Sequence, residues 1–127
     1  MAQVEYTEYE PRFAKAVAAM WNRSSEGWNG RIWNSSEARV LQKERDSAYL
    51  NLWLALAGEE VIGYVKLSKY SLEEGVAYVE LISVDPAWHG KGIGKALMRK
   101  CVERSAELGY QRLDLFTWPG NTRAVPL

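Results

Sequence analysis

The spacing of apolar residues changes period along the chain, and each change marks a predicted element. Alternation over Val4–Tyr6 predicts a short strand. Apolar positions three and four residues apart then predict an amphipathic helix over Pro11–Arg23, with proline suited to its first turn. Ser36 is suited to capping a second helix that extends to about Lys43. The first third of the chain is therefore predicted to be strand–helix–helix.

Three longer strands are predicted next, as a meander. Tyr49–Ala57 is aromatic and branched, and Val61–Leu67 returns after the short turn Gly58-Glu59-Glu60. Val76–Val84 follows a second turn, and its near-continuous apolar character predicts a central strand buried on both faces. The middle of the chain is thus predicted to form the centre of a sheet.

A helix and a further strand are predicted after this meander. Pro86 ends the preceding strand because proline has no N–H for the ladder. Apolar positions within Ile93–Leu108 recur on one helical face, and Gly109 is suited to ending that helix. Arg112–Phe116 predicts a strand that pairs most simply in parallel with Val76–Val84, because a helix connects the two.

These elements predict a single domain over residues 1–127. After a turn, Thr122–Leu127 resembles the start of another helix, so the predicted order is β-α-α-β-β-β-α-β and a helix fragment. The fold class is α/β (α+β). Apolar residues make up 47% and charged residues 25% of the 127, which is typical of an ordinary globular domain.

Charge and cysteine content limit the partners that can be expected. Sixteen basic and sixteen acidic residues cancel, so no overall field draws the protein to nucleic acid or to a membrane. Cys101 is the only cysteine, no leader opens the chain and no apolar run approaches membrane-spanning length, so a cytoplasmic location is expected. With one cysteine and one histidine, no Cys/His metal site is expected.

The stretch Val79–Leu97, VELISVDPAWHGKGIGKAL, concentrates the candidate chemistry. Three glycines alternate with other residues there: Gly90, Gly92 and Gly94. They stand where a helix is expected to begin, and free N–H groups and the helix dipole favour an anion at that place. A Walker loop would need glycine at His89 and serine or threonine at Ala96. The dinucleotide fingerprint would need its third glycine at Lys95 or Leu97, so neither nucleotide loop fits.

The string HGKGIG resembles the acetyl-CoA loop of the GNAT superfamily of N-acetyltransferases, Arg/Gln-x-x-Gly-x-Gly/Ala. His89 stands at the first position of that motif, and Gly92 and Gly94 at the two small positions. The strand order agrees, and NTRAVPL resembles the family's next motif, Asn-x-x-Ala-x-x-Leu-Tyr. The resemblance implies a mixed, mostly antiparallel sheet with a strand–helix–strand acetyl-CoA unit. It also implies that the chain ends within the second motif, with the C-terminal part of the domain missing.

The resemblance implies two sets of cofactor-binding residues. Backbone amides of the loop would hold the pyrophosphate of acetyl-CoA, and this set is His89, Gly90, Lys91, Gly92, Ile93, Gly94 and Lys95. Pantetheine would lie between splayed strands, against the backbone of Ile82 and Val84 and the side chain of Asn121. The alternatives are a solvated basic face for Lys91 and Lys95, and a helix N-cap for Asn121.

Glu80 is the candidate catalytic residue, because it is the one acid inside VAYVELISV. Burial in a central strand would favour its protonated form and make it a useful base, and some family members place a glutamate near this position. The alternative is that Glu80 faces solvent or pairs with a lysine or arginine. The family's general acid is a tyrosine that would follow Leu127.

The implied function is acetyl-CoA-dependent transfer of an acetyl group directly to a primary amine of a small molecule or peptide. Because the expected tyrosine is absent, the alternative is a non-catalytic acyl-CoA-binding or regulatory module. A third, weaker alternative is an aromatic-rich interaction domain that uses Trp21, Trp28 and Trp33. An exposed strand edge would favour a homodimer.

Overall fold

The computed structural model describes residues 3–23, 35–118 and 121–127, and side chains within 3–23 and 35–115 and at 127. The strands are β1 (Val4–Glu8), β2 (Asn51–Ala57), β3 (Glu60–Lys69), β4 (Val76–Val84), β5 (Arg112–Trp118) and β6 (Asn121–Pro126). The helices are α1 (Ala14–Arg23), α2 (Glu37–Arg45) and α3 (Ile93–Glu107). None of the helices in these ranges has the length and apolar character needed to cross a membrane.

Six strands form one sheet, and their spatial order is their order in the chain. Every neighbouring pair is antiparallel except β4 and β5, which are parallel and joined through α3. A parallel pair needs a crossover of this kind, whereas antiparallel neighbours need only a short turn. The predicted mixed, mostly antiparallel sheet with its strand–helix–strand unit is confirmed.

The helices cover the two faces of the sheet and form two cores. On one face α1 and α2 pack against β2 and β3, with this buried cluster: Val17, Met20, Trp21, Val40, Leu52, Leu54 and Tyr64. On the other face α3 packs against β3, β4 and β5, with this cluster: Ile62, Val65, Val79, Ile93, Leu97, Cys101 and Leu113. The apolar spacing of α1 and α3 therefore serves opposite faces of one sheet.

Two helix ends lie at the predicted capping residues, whereas the first helix begins later than predicted. Pro11–Phe13 is a single 3-10 turn, so the first α-helix begins at Ala14 rather than at the proline. Ser36 caps α2, since its Oγ accepts the Arg39 N–H at 3.2 Å. Gly109 follows α3 with a φ of 84°, a left-handed conformation that suits glycine.

The predicted helix at Thr122–Leu127 is wrong, because the structure places β6 there. β6 pairs antiparallel with β5, from Trp118↔Asn121 to Arg112↔Pro126. Six residues are too few to stabilise a helix by themselves, whereas pairing with the edge of β5 satisfies backbone groups at once. The strand edge on this side of the sheet is consequently that of β6.

Gly63 on β3 allows α3 to lie close to the sheet. A Cβ at this position would lie 3.0 Å from Ile93 Cγ2 and 3.1 Å from Leu97 Cδ1. It would also lie 3.1 Å from Ala55 Cβ on the neighbouring strand, so helix and sheet both limit the space. The close approach of α3 thus depends on a missing side chain.

We expect Gly63→Ala to lower the free energy of unfolding by about 1–3 kcal/mol, because the added methyl overpacks the helix–sheet contact. Urea denaturation with an unchanged m-value measures the loss. The control is Gly94→Ala, where the new methyl would make an ordinary contact of 3.7 Å with Val84 Cγ2. Equal stability of Gly63→Ala and the wild type would contradict this account of the packing.

Candidate active site

β4 and β5 separate halfway along β4. Their described pairing runs from Val76↔Arg112 to Val79↔Leu115, whereas β4 stays paired with β3 as far as Gly63↔Val84. The predicted burial of Val76–Val84 on both faces is therefore right for the first half only. Residues 81–84 are half-buried, because the neighbouring strand has left them.

The separation exposes backbone groups of Ile82 and Val84. The Asp85 N–H donates to the Ile62 carbonyl of β3 at 2.8 Å. Because N–H and C=O groups alternate sides along a strand, Val84 and Ile82 direct theirs away from β3, toward the side that β5 has left. His89 gives independent support, since its Nε2 lies 3.0 Å from the Val84 carbonyl oxygen.

A turn that begins at the buried Asp85 connects this strand to the glycine loop. Asp85 is 4% exposed, and its carboxylate accepts the Ala87 N–H at 3.0 Å and the Arg23 Nε–H at 3.0 Å. Arg23 at the end of α1 also donates to the Val61 carbonyl at 3.1 Å. The start of the loop is thereby fixed to the sheet and to α1.

The loop opens the N-terminus of α3 to solvent. Gly90 and Gly92 have φ values of 77° and 81°, and a Cβ at either would meet no atom within 4 Å. The first helical hydrogen bond runs from the Ala96 N–H to the Gly92 carbonyl at 3.0 Å. The N–H groups of residues 93–95 therefore precede that hydrogen bond and lie at the start of the helix. The first turn holds no acidic residue and no side-chain cap, and these features favour an anion there.

The open strand and the helix N-terminus share one cavity of about 440 Å³. The cavity brings together most of the predicted cofactor-binding residues: Ile82, Val84, His89, Gly90, Gly92, Ile93, Gly94 and Lys95. Lys91 does not line it, and its Nζ lies 6.0 Å from the centre of the Trp88 ring. The side chain of Asn121 lies outside the described part of the structure. Ser83 and Trp88 also line the cavity, and no motif in the sequence identified them.

A bulge in β4 determines where Glu80 lies. Lys66 pairs with Leu81 while Leu67 pairs with Val79, so Glu80 is an extra residue in the strand. Its side chain lies on the face of the sheet that α1 and α2 cover, beside Lys66 and Ser68. The cavity side chains Ile82 and Val84 instead pack in the cluster on the α3 face.

Glu80 is not buried, which corrects the expectation from its place in an apolar run. Its side chain is 39% exposed, because β5 no longer lies beside it. Its Oε2 lies 3.6 Å from Lys66 Nζ and accepts a hydrogen bond from Ser68 Oγ at 3.4 Å. Its Oε1 accepts from the Tyr78 hydroxyl at 3.5 Å. Burial therefore cannot be what makes Glu80 a base. The surroundings of Glu80 agree with the alternative in which it pairs with a lysine.

Of the three tryptophans in the interaction-domain alternative, the structure describes only Trp21. Trp21 is 2% exposed, packs edge-on against Tyr64 at 5.0 Å and donates its Nε1–H to Ser83 Oγ at 3.1 Å. It is a core residue. Trp28 and Trp33 lie outside the described residues. Among the residues that the structure does describe, no group of three or more His, Cys, Asp and Glu could hold a metal ion.

A mixed sheet that separates beside a glycine loop and a helix N-terminus is the arrangement that the resemblance to the GNAT superfamily implies. Residues 15–127 match the family described as the Acetyltransferase (GNAT) family, and the chain belongs to it. The resemblance stated from HGKGIG is thus confirmed.

Curated relatives match along most of the chain. Mycothiol acetyltransferase of Corynebacterium glutamicum is 29% identical over 105 residues, 83% of this chain and 34% of that protein. Its counterpart in Corynebacterium efficiens is 28% identical over 120 residues, 93% of this chain and 38% of that protein. The chain therefore spans about a third of the length of these relatives.

Solved structures of the family share the fold at low identity. An acetyltransferase of Staphylococcus aureus Mu50 superposes with a TM-score of 0.73 at 17% identity, over 91% of this chain and 74% of that one. An acetyltransferase of Brucella melitensis in complex with acetyl-CoA gives a TM-score of 0.73 at 16% identity, over 100% and 90% of the two chains. The fold prediction is confirmed by both.

Cys101 is expected to be unreactive in the folded protein. The side chain is fully buried on α3, and burial raises the pKa of its thiol to about 12. Only about one thiol in 10⁴ would be ionised at pH 8, and the thiolate is the reactive form. We expect no reaction with Ellman's reagent at pH 8 and one thiol per chain after unfolding in guanidinium. Labelling of the native protein at the rate of a free cysteine would contradict this placement.

Proposed function

We propose that the protein is an acetyl-CoA-dependent N-acetyltransferase that transfers the acetyl group directly to a primary amine. The observation that carries this proposal is the shared cavity, in which the open edge of β4 faces the glycine loop and the uncapped start of α3. A coenzyme with a phosphate end and an amide-bearing arm requires these two kinds of surface. Family membership and the acetyl-CoA held by the Brucella melitensis relative support the same co-substrate.

The backbone would make most of the contacts to acetyl-CoA. The N–H groups at the start of α3 suit the pyrophosphate, and the left-handed glycines before them keep side chains out of its path. The backbone of Ile82 and Val84 suits the amides of pantetheine, which would lie like an added strand in the gap beside β4. His89 would have to share the Val84 carbonyl with such an amide or turn away from it.

The transfer step joins the amine nitrogen to the acetyl carbon and breaks the carbon–sulfur bond. The amine loses a proton, and coenzyme A leaves as a thiolate that takes up a proton to become a thiol. Glu80 is the proposed acceptor of the amine proton, directly or through water, because its carboxylate is accessible where β4 and β5 part. Backbone N–H groups on the open part of β4 would stabilise the oxyanion.

For the acceptor, we propose a small-molecule amine related to the substrate of mycothiol acetyltransferases. The support is the match to several proteins of that name at 28–29% identity. A peptide amine is the other candidate. The two are separated by comparing rates of thiol release with small-molecule and peptide amines.

We expect Gly92→Ala to weaken the binding of coenzyme A about tenfold or more, because a side chain would enter the anion site and disfavour the left-handed backbone. Gly109→Ala is a matched control. Gly109 has a φ of 84°, nothing lies within 4 Å of its added Cβ, and it stands at the other end of the same helix. Isothermal titration calorimetry with acetyl-CoA and coenzyme A measures both variants.

The proposal requires the control variant to keep wild-type affinity while Gly92→Ala loses it. If neither form of the coenzyme binds the wild-type chain, or if both variants bind equally well, the cavity is not a coenzyme site.

We expect Glu80→Gln to lower kcat about 10²-fold with little change in the KM for acetyl-CoA, since an amide cannot take the amine proton. The assay is amine-dependent release of coenzyme A thiol. Glu60→Gln, at an exposed position at the start of β3, is the control and should behave as the wild type. Coenzyme binding without any thiol release by the wild type would favour the alternative, a non-catalytic acyl-CoA-binding module.

A further inference from the structure

We propose that Lys66 is a positioning residue for Glu80. The buried ammonium group of Lys66, anchored by Glu44, holds one oxygen of the Glu80 carboxylate so that the other oxygen faces the substrate amine. The inference rests on the proposed function, in which Glu80 takes the amine proton. It concerns a network of charged side chains that no motif of the chain identified.

Lys66 is a buried cation in the middle of the sheet. Its side chain is 1% exposed, on β3, facing α2. A buried ammonium group is very costly unless it is paired. Lys66 Nζ forms an ion pair with Glu44 Oε1, lies 3.6 Å from Glu80 Oε2 and donates to Ser47 Oγ at 3.4 Å. One cation therefore joins a carboxylate of α2 to the carboxylate proposed as the base.

Glu44 holds the lysine from the interior. Its side chain is 2% exposed, and its Oε2 accepts the Tyr64 hydroxyl while Oε1 contacts Lys66. Burial and the Glu44 carboxylate raise the pKa of Tyr64, so that hydroxyl remains a donor at every working pH. Tyr64, two residues before Lys66 on β3, lies on the same face of the sheet. Each carboxylate oxygen of Glu44 thus has a partner, and this pairing restricts the movement of the Glu44 side chain.

The bulge completes the arrangement on the other side. Because Glu80 and Leu81 together stand opposite Lys66, the extra residue brings the Glu80 carboxylate beside the ammonium group. Lys66 and Ser68 both contact Oε2, while Oε1 accepts from the Tyr78 hydroxyl. Oε2 therefore has two partners from β3, whereas Oε1 has one, from β4 itself, and is the less constrained oxygen.

Stability alone does not explain this network. Replacing a buried ion pair by apolar residues of similar volume is often neutral or stabilising, so such a pair is weak evidence for a role in folding. A fixed rotamer for a half-exposed carboxylate, in contrast, has a direct use. A proton acceptor has to be held in the productive geometry when the amine attacks.

The test compares kcat and the KM for acetyl-CoA in Lys66→Met, Glu80→Gln and the variant that combines them. We expect Lys66→Met to lower kcat about tenfold and to leave KM within about twofold. In the Glu80→Gln background the same change should have no further effect on kcat, because the group that Lys66 positions is already gone. Lys69→Met, an exposed lysine on the same strand, is the matched control and should change neither constant.

Equal losses of kcat in the two backgrounds would mean that Lys66 acts only on the overall structure, and would overturn the proposal. Lys66→Met alone leaves Glu44 buried without its cation and can impair folding. The second variant, Lys66→Met with Glu44→Gln, removes both charges and keeps an amide oxygen for the Tyr64 hydroxyl. Urea denaturation should show that this variant is folded, and its kcat should fall by the same factor.

Crystal structures of the wild type and of this second variant give a readout that needs no turnover. We expect Glu80 Oε2 to point to Lys66 in the wild type and to leave Ser68 Oγ in the variant. An unchanged Glu80 rotamer would overturn the positioning role. If the wild type releases no thiol, the proposed function fails, while the crystallographic comparison still decides whether Lys66 positions Glu80.

Discussion

The parting of β4 from β5 after the pair Val79↔Leu115 is the constraint on which the rest of the site depends. A strand with neighbours on both sides has its backbone groups occupied, so Ile82 and Val84 can offer theirs only because β5 has left. β4 keeps its shape there because β3 pairs with it as far as Val84. Arg23 binds both Asp85 and the Val61 carbonyl, which fixes the end of the open strand where the glycine loop begins.

The bulge at Glu80 then divides the open strand between two tasks. In a regular strand Ile82 would lie on the same face as Tyr78 and Glu80. The extra residue moves Ile82 and Val84 to the face of α3, where they line the cavity beside the helix N-terminus. Glu80 stays on the opposite face, next to Lys66. One strand can therefore present a backbone edge to the proposed coenzyme site and a carboxylate to the proposed amine site without the two competing for space.

Local patterns predicted most of this fold and most of the residues that line the cavity at the start of α3. Periodicity predicted the elements up to Phe116. The glycines around the start of an apolar helix were enough to place the loop, because such a loop is built from consecutive residues. Non-local pairing was not predictable. The exposure of Glu80 depends on where β5 stops pairing, and β6 forms because the edge of β5 is available to a segment whose sequence resembles a helix start. Lys66 lies in an apolar strand, and its partner comes from α2, twenty-two positions earlier in the chain.

The difference between local patterns and non-local contacts also explains why the sequence identifies the family but not the amine that accepts the acetyl group. Backbone recognition of a coenzyme needs glycines, a helix start and an unpaired strand edge, and solved structures only 16–17% identical to this chain still share its fold. Side chains brought together by separate elements, such as Glu44 of α2, Lys66 of β3 and Glu80 of β4, are the kind of group proposed to act on the amine. Such a set leaves no short motif. The buried charges beside Glu80 are consequently visible only once α2, β3 and β4 are seen together in the folded chain.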